Sequence, residues 1–319
     1  MGSIDANRII YLSDIILKII INKWVKYLIA NPQKLFKNES ERIGFRYYLS
    51  KIQKAKGFLI TLFPGKAQND STHPSRLPDF GELNTLTRIR AIQLLTNRPV
   101  TMMLDGNHYA NIFKEKLEII QSYERRIKEL AKLVGINKEF LQVKTFLHFK
   151  DLLPIAGISD DEVKDDINFY SQNLNLAYKV VEIWPEEIYD SVERLLSKNY
   201  LIKIRKQPNY EEMISNICNQ FIILKAVLSK VVKAVIDKIG YQRVTILKYA
   251  RTDYPRINME MNTAPWNSTI LFKRSLININ TAYNAGYKTL LQDKRNYLII
   301  GKNKYFWGFS RNKNLINNL

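Results

Sequence analysis

Apolar and polar positions alternate along the chain in distinct textures, and each texture predicts a kind of element. Between residues 9 and 30, Ile9, Ile16, Ile20, Trp24 and Leu28 recur near a 3.6-residue period, which predicts an amphipathic helix. Gly57-Phe-Leu-Ile-Thr-Leu-Phe63 is a short apolar run bounded by Gly57 and Pro64, the signature of a buried strand. A loop rich in Pro, Ser, Asn and Gly follows to about Gly81, then an apolar-periodic helix to about Thr96. Pro99–Leu104 reads as a second buried strand, ended by Asp105-Gly106. One helix is expected from there to Val134, and residues 141–149 alternate like a third strand. Strand, loop, helix, strand, loop, helix, strand is a βαβαβ succession, which implies parallel strands joined by right-handed crossovers.

From Ser159 to Gly240 the pattern is helical. Ser159-Asp-Asp-Glu162 has the spacing of a capping box, and Tyr210–Ile239 is one long periodic segment. Beyond Gly240 the texture turns to strands, at 243–249, 256–261, 269–273, 297–300 and 305–309. The expected architecture is α/β: a Rossmann-like core with a mostly parallel sheet, plus N-terminal and inserted helical segments. No Gly/Ser/Pro-rich linker divides it, so residues 1–319 are expected to form a single composite enzymatic domain. Its parts would be a helical segment (1–56), an α/β core (57–150), a second helical segment (151–240) and a β-rich part (241–319).

Composition narrows the chemistry. The single cysteine, Cys218, excludes an intrachain disulfide and suits a reducing compartment, so a cytoplasmic location is expected. With one Cys and three His (His73, His108, His148), a thiolate or histidine zinc cluster is excluded, and no metal site is expected. Asp14, Lys18, Lys23 and Lys26 interrupt the apolar stretch 9–30, which leaves no run able to span a bilayer. No charged region precedes that stretch and no small-residue cleavage site follows it, so a signal peptide is not expected.

The net charge is +19, carried as +9 on residues 1–100, −4 on 101–200 and +14 on 201–319. An anionic partner for the two ends is the natural inference. A nucleic acid is one reading, yet no helix-turn-helix, zinc finger or RNP1-type motif occurs, and no stable nucleic-acid complex is expected. A basic membrane-surface helix at 9–30 is another, set against the commoner case of a helix packed on its own core.

In an open α/β sheet, ligands bind on the loops at the carboxyl ends of strands. Two loops qualify. The first, Phe63-Pro-Gly-Lys-Ala-Gln-Asn69 onward to Leu77-Pro-Asp-Phe-Gly-Glu82, gathers Lys66, Asn69, His73 and Arg76 beside a helix N-terminus near Asp79. Cations next to free helix N–H groups suit a phosphate or carboxylate. Asp79 and Glu82 can equally be read as a helix-capping pair. In the second loop, Asp105 is a candidate general base or hydroxyl ligand, or else part of a plain Asp-Gly turn. Asn107, His108 and Tyr109 follow on the next helix, where His108 could move protons or simply face solvent. His148 reads as structural. Trp266, in a Pro turn after an alternating strand, either walls a site or closes the core.

Taken together, these segments resemble the isonitrile (isocyanide) synthase family, which includes the pyoverdine/dityrosine biosynthesis proteins. Members carry F-P-x-K-S-x-N after a strand, then L-P-D-x-x-E opening a helix, then S-D-G-x-x-Y-x-D-L after a second strand. Here the counterparts are Phe63-Pro64-Gly65-Lys66-Ala67-Gln68-Asn69, Leu77-Pro78-Asp79-Phe80-Gly81-Glu82 and Asp105-Gly106-Asn107-His108-Tyr109-Ala110-Asn111-Ile112, in the same order. Fainter echoes are Tyr254-Pro255 with Ile257–Asn262, and Thr263-Ala264-Pro265-Trp266-Asn267. The motif-bearing stretch is about 60–113, with weaker support to about 270. Ala67 replaces the motif Ser, Thr72 or a neighbour stands where a second Lys is usual, Asn111 replaces an Asp, and Asn262 and Asn267 replace histidines.

The resemblance implies an enzyme that condenses the amino group of an aromatic amino acid (Tyr or Trp) with the C2 ketone of ribulose 5-phosphate, in secondary metabolism. Loss of phosphate and the remaining sugar carbons leaves an isonitrile. No cofactor is implied, and a downstream Fe(II)/2-oxoglutarate-dependent oxygenase acting on the product is. In that scheme Lys66, Asp105 and Glu82 are catalytic. Arg76, His73, Asn69, Asp79, Asn107, His108, Tyr109 and Trp266 bind the substrates. The departures at Ala67, Asn111, Asn262 and Asn267 bear on which substrate is used.

Overall fold

The computed structural model describes residues 6–32, 35, 53–62, 80–104, 106–136, 139–140, 143–144, 146–181, 188–189, 192–193, 196–245, 257–258, 269–272, 282–285, 292–301 and 307–311. The chain opens with a short 3-10 turn and strand β1 (Ile9–Leu12), followed by helix α1 (Asp14–Ala30). The apolar stretch expected to be one helix is therefore a strand and a helix, divided at Ser13. The Ser13 hydroxyl accepts from the Ile16 N–H and caps α1, which is why the helix cannot extend back to Ile9.

The next elements follow the predicted βαβαβ order closely. They are β2 (Gly57–Leu62), α2 (Phe80–Thr96), β3 (Val100–Leu104), α3 (Gly106–Phe113) and α4 (Leu117–Val134). The single helix expected after β3 is two, because Lys114 sits in the left-handed region (φ 55°). Burial explains the break. Phe113 packs into the apolar cluster on one side of the sheet, whereas Leu130, Ala131 and Val134 of α4 join the cluster on the other.

The third strand is shorter than its alternation suggested. A small antiparallel pair, β4 (Glu139–Phe140) with β5 (Val143–Lys144), precedes a two-residue β6 (Phe146–Leu147). Phe149 already belongs to α5 (Phe149–Ala156), where the Asp151 carboxylate accepts from the His148 N–H at 2.7 Å and ends the strand. Helices α6 (Asp160–Gln172), α7 (Leu174–Val181), α8 (Lys198–Ile204) and α9 (Tyr210–Ile239) follow, with the Ser159–Glu162 capping box formed as expected.

Strands β7 (Tyr241–Thr245) and β8 (Ile257–Asn258) complete a parallel sheet in the order β6-β3-β2-β7-β8. Numbered by its own strands, that order is 3-2-1-4-5. Residues alternate between its faces as the pleat requires. Phe58, Ile60, Val100, Met102 and Val244 pack with α1, α2 and α4 on one side, while Leu59, Met103 and Leu147 pack with α5–α9 on the other. The crossovers β2→β3 and β3→β6 run over the first face. The helical segment 149–239, leading to β7, covers the second. Two right-handed windings in opposite directions from β2 must cover opposite faces, so the order and the layering agree.

Gly57 starts the central strand beneath the Tyr241 ring. A Cβ there would lie 2.5 Å from the ring carbons, so only glycine allows β2 and β7 to meet at this end.

The remaining strands form a second, mixed sheet in the order β1-β11-β12-β9-β10. They are β9 (Thr269–Phe272), β10 (Ala282–Ala285), β11 (Tyr297–Gly301) and β12 (Trp307–Ser310). The N-terminal strand runs parallel to β11, with Ile9 opposite Leu298. The β-rich C-terminal part is thus shared between two sheets, and residues 6–12 belong with its second half.

Candidate functional site

All strands of the main sheet are parallel, so their carboxyl ends meet along one edge. The winding reverses between β2 and β7, and a crevice forms at such a point because the connections leaving the two strands diverge. Residues 63–79 follow the carboxyl end of β2 in the chain. They include Lys66, Asn69, His73, Arg76 and Asp79, which lie outside the described residues, as do Asp105 and Trp266. Asn107 and Tyr109 are on the backbone of α3, with side chains outside the described set. Of the sequence-predicted site residues, Glu82 and His108 have described side chains.

Glu82 lies in the first turn of α2, directly after the first loop, and is 6% exposed. Its Oε1 accepts a hydrogen bond of 2.8 Å from the Tyr123 hydroxyl of α4, itself buried. The carboxylate is thus held by a phenol from a helix 41 residues on. Below it α2 is polar yet buried: Asn84, Thr85, Thr87, Arg88 and Gln93 are all inside. The Arg88 Nε donates to Asn84 Oδ1 at 3.2 Å. Buried arginine is rare and requires partners, so α2 carries a strip of buried polar side chains along its length.

His108, in the first turn of α3, packs edge-on against Phe149 with ring centroids 4.6 Å apart. Burial lowers its pKa, and the charges of Lys150 and His148 lower it further, so the imidazole is neutral near pH 7. His148, just past β6, places Nδ1 3.1 Å from the carbonyl oxygen of Leu104, the last residue of β3. A carbonyl only accepts, so Nδ1 carries a proton and donates it to that oxygen. Nε2 lies 3.9 Å from Oε2 of the buried Glu124. His148 therefore fastens the carboxyl ends of β3 and β6 together, next to Asp105 in sequence, which agrees with its structural reading.

Sequence reasoning missed Tyr123, Glu124 and Arg88. The signal for Arg88 was present. Thr85, Thr87 and Arg88 interleave with Leu83, Leu86 and Ile89, so α2 is a helix of mixed polarity with every face covered. Tyr123 and Glu124 had no local signal, because their partners come from other elements. Among the described residues, no three His, Cys, Asp or Glu side chains converge as a metal site.

Chemically, the described residues that follow the two strand ends are a carboxylate held by a phenol and a neutral imidazole, groups able to exchange protons with a substrate.

The strand order and the two helical layers define the class: a doubly wound, Rossmann-like α/β protein. Among solved structures, the chain is similar in fold to the PvcA protein from Pseudomonas aeruginosa. The two share 13% sequence identity with a TM-score of 0.56, over 91% of this chain and 99% of that one. No protein-family model matches the sequence, and no curated protein does.

Proposed function

We propose that the protein is an isonitrile-synthase-like enzyme acting on an aromatic L-amino acid and ribulose 5-phosphate. The observation that carries the reading is positional. The three motifs that resemble the family occur in order, each next to a strand end or a helix start in the chain. The first follows the carboxyl end of β2, the second opens α2, and the third follows β3 and opens α3. The fold likeness to PvcA over nearly the whole of both chains supports it.

In this reading the amino nitrogen attacks the ribulose C2 ketone and water leaves to give an imine. Phosphate is then expelled and the C1–C2 and C2–C3 bonds break, so that C2 stays on nitrogen as the isonitrile carbon and C1 and C3–C5 depart. Lys66 and Arg76 clamp the phosphate or the amino-acid carboxylate, since two cations beside helix N–H groups suit an oxyanion. Glu82 and Asp105 exchange protons with the condensing amine and the sugar hydroxyls. The Tyr123 bond to Glu82 Oε1 fixes that carboxylate's orientation. Asn107, His108, Tyr109 and Trp266 line the pocket, while Asn69, His73 and Asp79 shape the anion loop.

The test is mass spectrometry of products formed from each aromatic amino acid with ribulose 5-phosphate labelled at C2. Label in an isonitrile carbon is the expected outcome; its absence with every amino acid overturns the proposal. The Lys66→Ala enzyme should then lose at least about 100-fold in kcat/KM, the scale for removing one preorganised charge-stabilising donor. Full turnover by that variant removes Lys66 from the mechanism.

A further inference from the structure

Helix α1 presents two faces of different character. Leu17, Ile20, Ile21, Trp24, Val25 and Leu28 point inward and are buried in the core beneath the parallel sheet. At 100° per residue, Ile15, Ile19, Asn22 and Lys26 fall on the opposite side, along the crest farthest from that core. Ile15 is 72% exposed and Ile19 42%. Lys18 and Lys26 are fully exposed beside them and Lys23 is half-buried on the flank. Tyr11 before the helix (59% exposed) and Tyr27 near its end (37%) extend the patch at either side. Four of the ten exposed large hydrophobic side chains among the described residues thus lie within Tyr11–Tyr27.

Single exposed apolar residues are ordinary, but two isoleucines one turn apart on a convex crest, ringed by lysines, are a pattern. We propose that this crest docks the protein on an anionic lipid surface. The isoleucines would enter the headgroup region, the tyrosines would sit at the interface, and Lys18 and Lys26 would meet lipid phosphates. Charge complementarity selects this occupant. The only carboxylate of α1, Asp14, stands at its first turn, away from the crest, and the whole chain carries +19. A second copy docked across a two-fold axis would bring lysines against lysines. A convex crest also offers no groove to receive a partner's side chains.

The experiment uses the full chain and sedimentation with phosphatidylcholine vesicles, with and without about a third phosphatidylglycerol. The wild type should sediment with the anionic vesicles and stay in solution with the neutral ones, and added salt should release it. The double variants Ile15→Asp/Ile19→Asp and Lys18→Glu/Lys26→Glu should each weaken binding about tenfold or more, with an unchanged melting temperature because these side chains are exposed. A wild type that ignores anionic vesicles overturns the proposal. So do variants that bind as well as the wild type, which would assign the attraction to basic residues elsewhere. Sedimentation without vesicles as a dimer that the Ile15→Asp/Ile19→Asp variant dissolves also overturns it, in favour of a second copy.

Discussion

The parallel sheet and the mixed sheet each have five strands among the described residues. Burial reaches both, since Leu12, Leu298 and Ile299 of the second are inside, yet the contacts added to the second differ. Burial holds the first: Phe58, Leu59, Ile60, Val100, Met102, Met103 and Leu104 are almost wholly inside, between two layers of helices. A polar fastening is added at the corner of the second, where Arg8 and Arg311 reach the turn Asp293–Asn296. The Arg8 guanidinium donates to the carbonyls of Asp293 (2.9 Å) and Asn296 (3.0 and 3.1 Å), which form the turn before β11. Arg311, just past β12, reaches the same turn through Asp293 Oδ2 and Asn296 Oδ1. Both sheets join distant segments, β2 to β7 in the first and β1 to β11 in the second, and the second adds directional bonds where its first strand is placed.

The sharpest way to break this contrast is Phe58→Ala. Phe58 is fully buried at the centre of β2, so truncation leaves a cavity beneath α1 and α2. The expected loss is about 3–5 kcal/mol in denaturant unfolding, enough to threaten the fold of a marginally stable domain. Arg8→Ala should cost less, roughly 1.5–3 kcal/mol, the worth of hydrogen bonds from a charged donor. Equal losses from the two variants would show that the sheets do not differ in this way.

Those two sheets also differ in how far the sequence discloses them. Strands β2 and β3 were legible because a strand buried on both faces is apolar at successive positions, and Gly57, Pro64 and Asp105-Gly106 punctuate the runs. Helix α9 was legible over its full 30 residues, since nothing breaks its period before Gly240, which ends it at φ 70°. Strand β1 was not. Ile9–Leu12 abuts the apolar period of α1, and its partner lies at the far end of the chain, where no local pattern can point. Nor did any local run mark β10, whose residues Ala282–Ala285 are weakly apolar and pair antiparallel with β9.

The site divides in the same way. Glu82 and His108 could be singled out because they follow strand ends. The bond from Tyr123 to Glu82 and the pairing of His148 with Glu124 arise where α4 packs beneath the edge, and only the tertiary fold supplies that.

A gentler test concerns the edge of the parallel sheet. His108 is kept neutral by burial first, then by Lys150 and His148. Its folded pKa lies below the ordinary 6.5. As pH falls through 6.5, the unfolded chain takes up a proton that the folded protein refuses. Stability should therefore decline on acidification from that point and be independent of this group above it. Proton NMR titration of the imidazole should show the low pKa, and Lys150→Ala should move it upward by removing the second cause. An unshifted His108 would mean that its environment at the strand edge is more open than its packing on Phe149 indicates.

The smallest signal asks whether the two sheets open together. Cys218 lies on α9, in the helical layer under the parallel sheet, and is buried. Burial pushes its thiol up to about 11, so at pH 8 it is almost wholly protonated and inert to disulfide reagents while the layer is closed. Labelling in native buffer should therefore proceed only through opening of that layer, and its rate measures the opening equilibrium. Phe58→Ala weakens the sheet that the layer covers and should speed labelling clearly. Arg8→Ala loosens a corner of the other sheet and should change it little. If Arg8→Ala speeds labelling as much as Phe58→Ala for the same loss of stability, the arginine-fastened corner and the buried sheet unfold as one unit, and the distinction between them is one of construction and not of cooperativity.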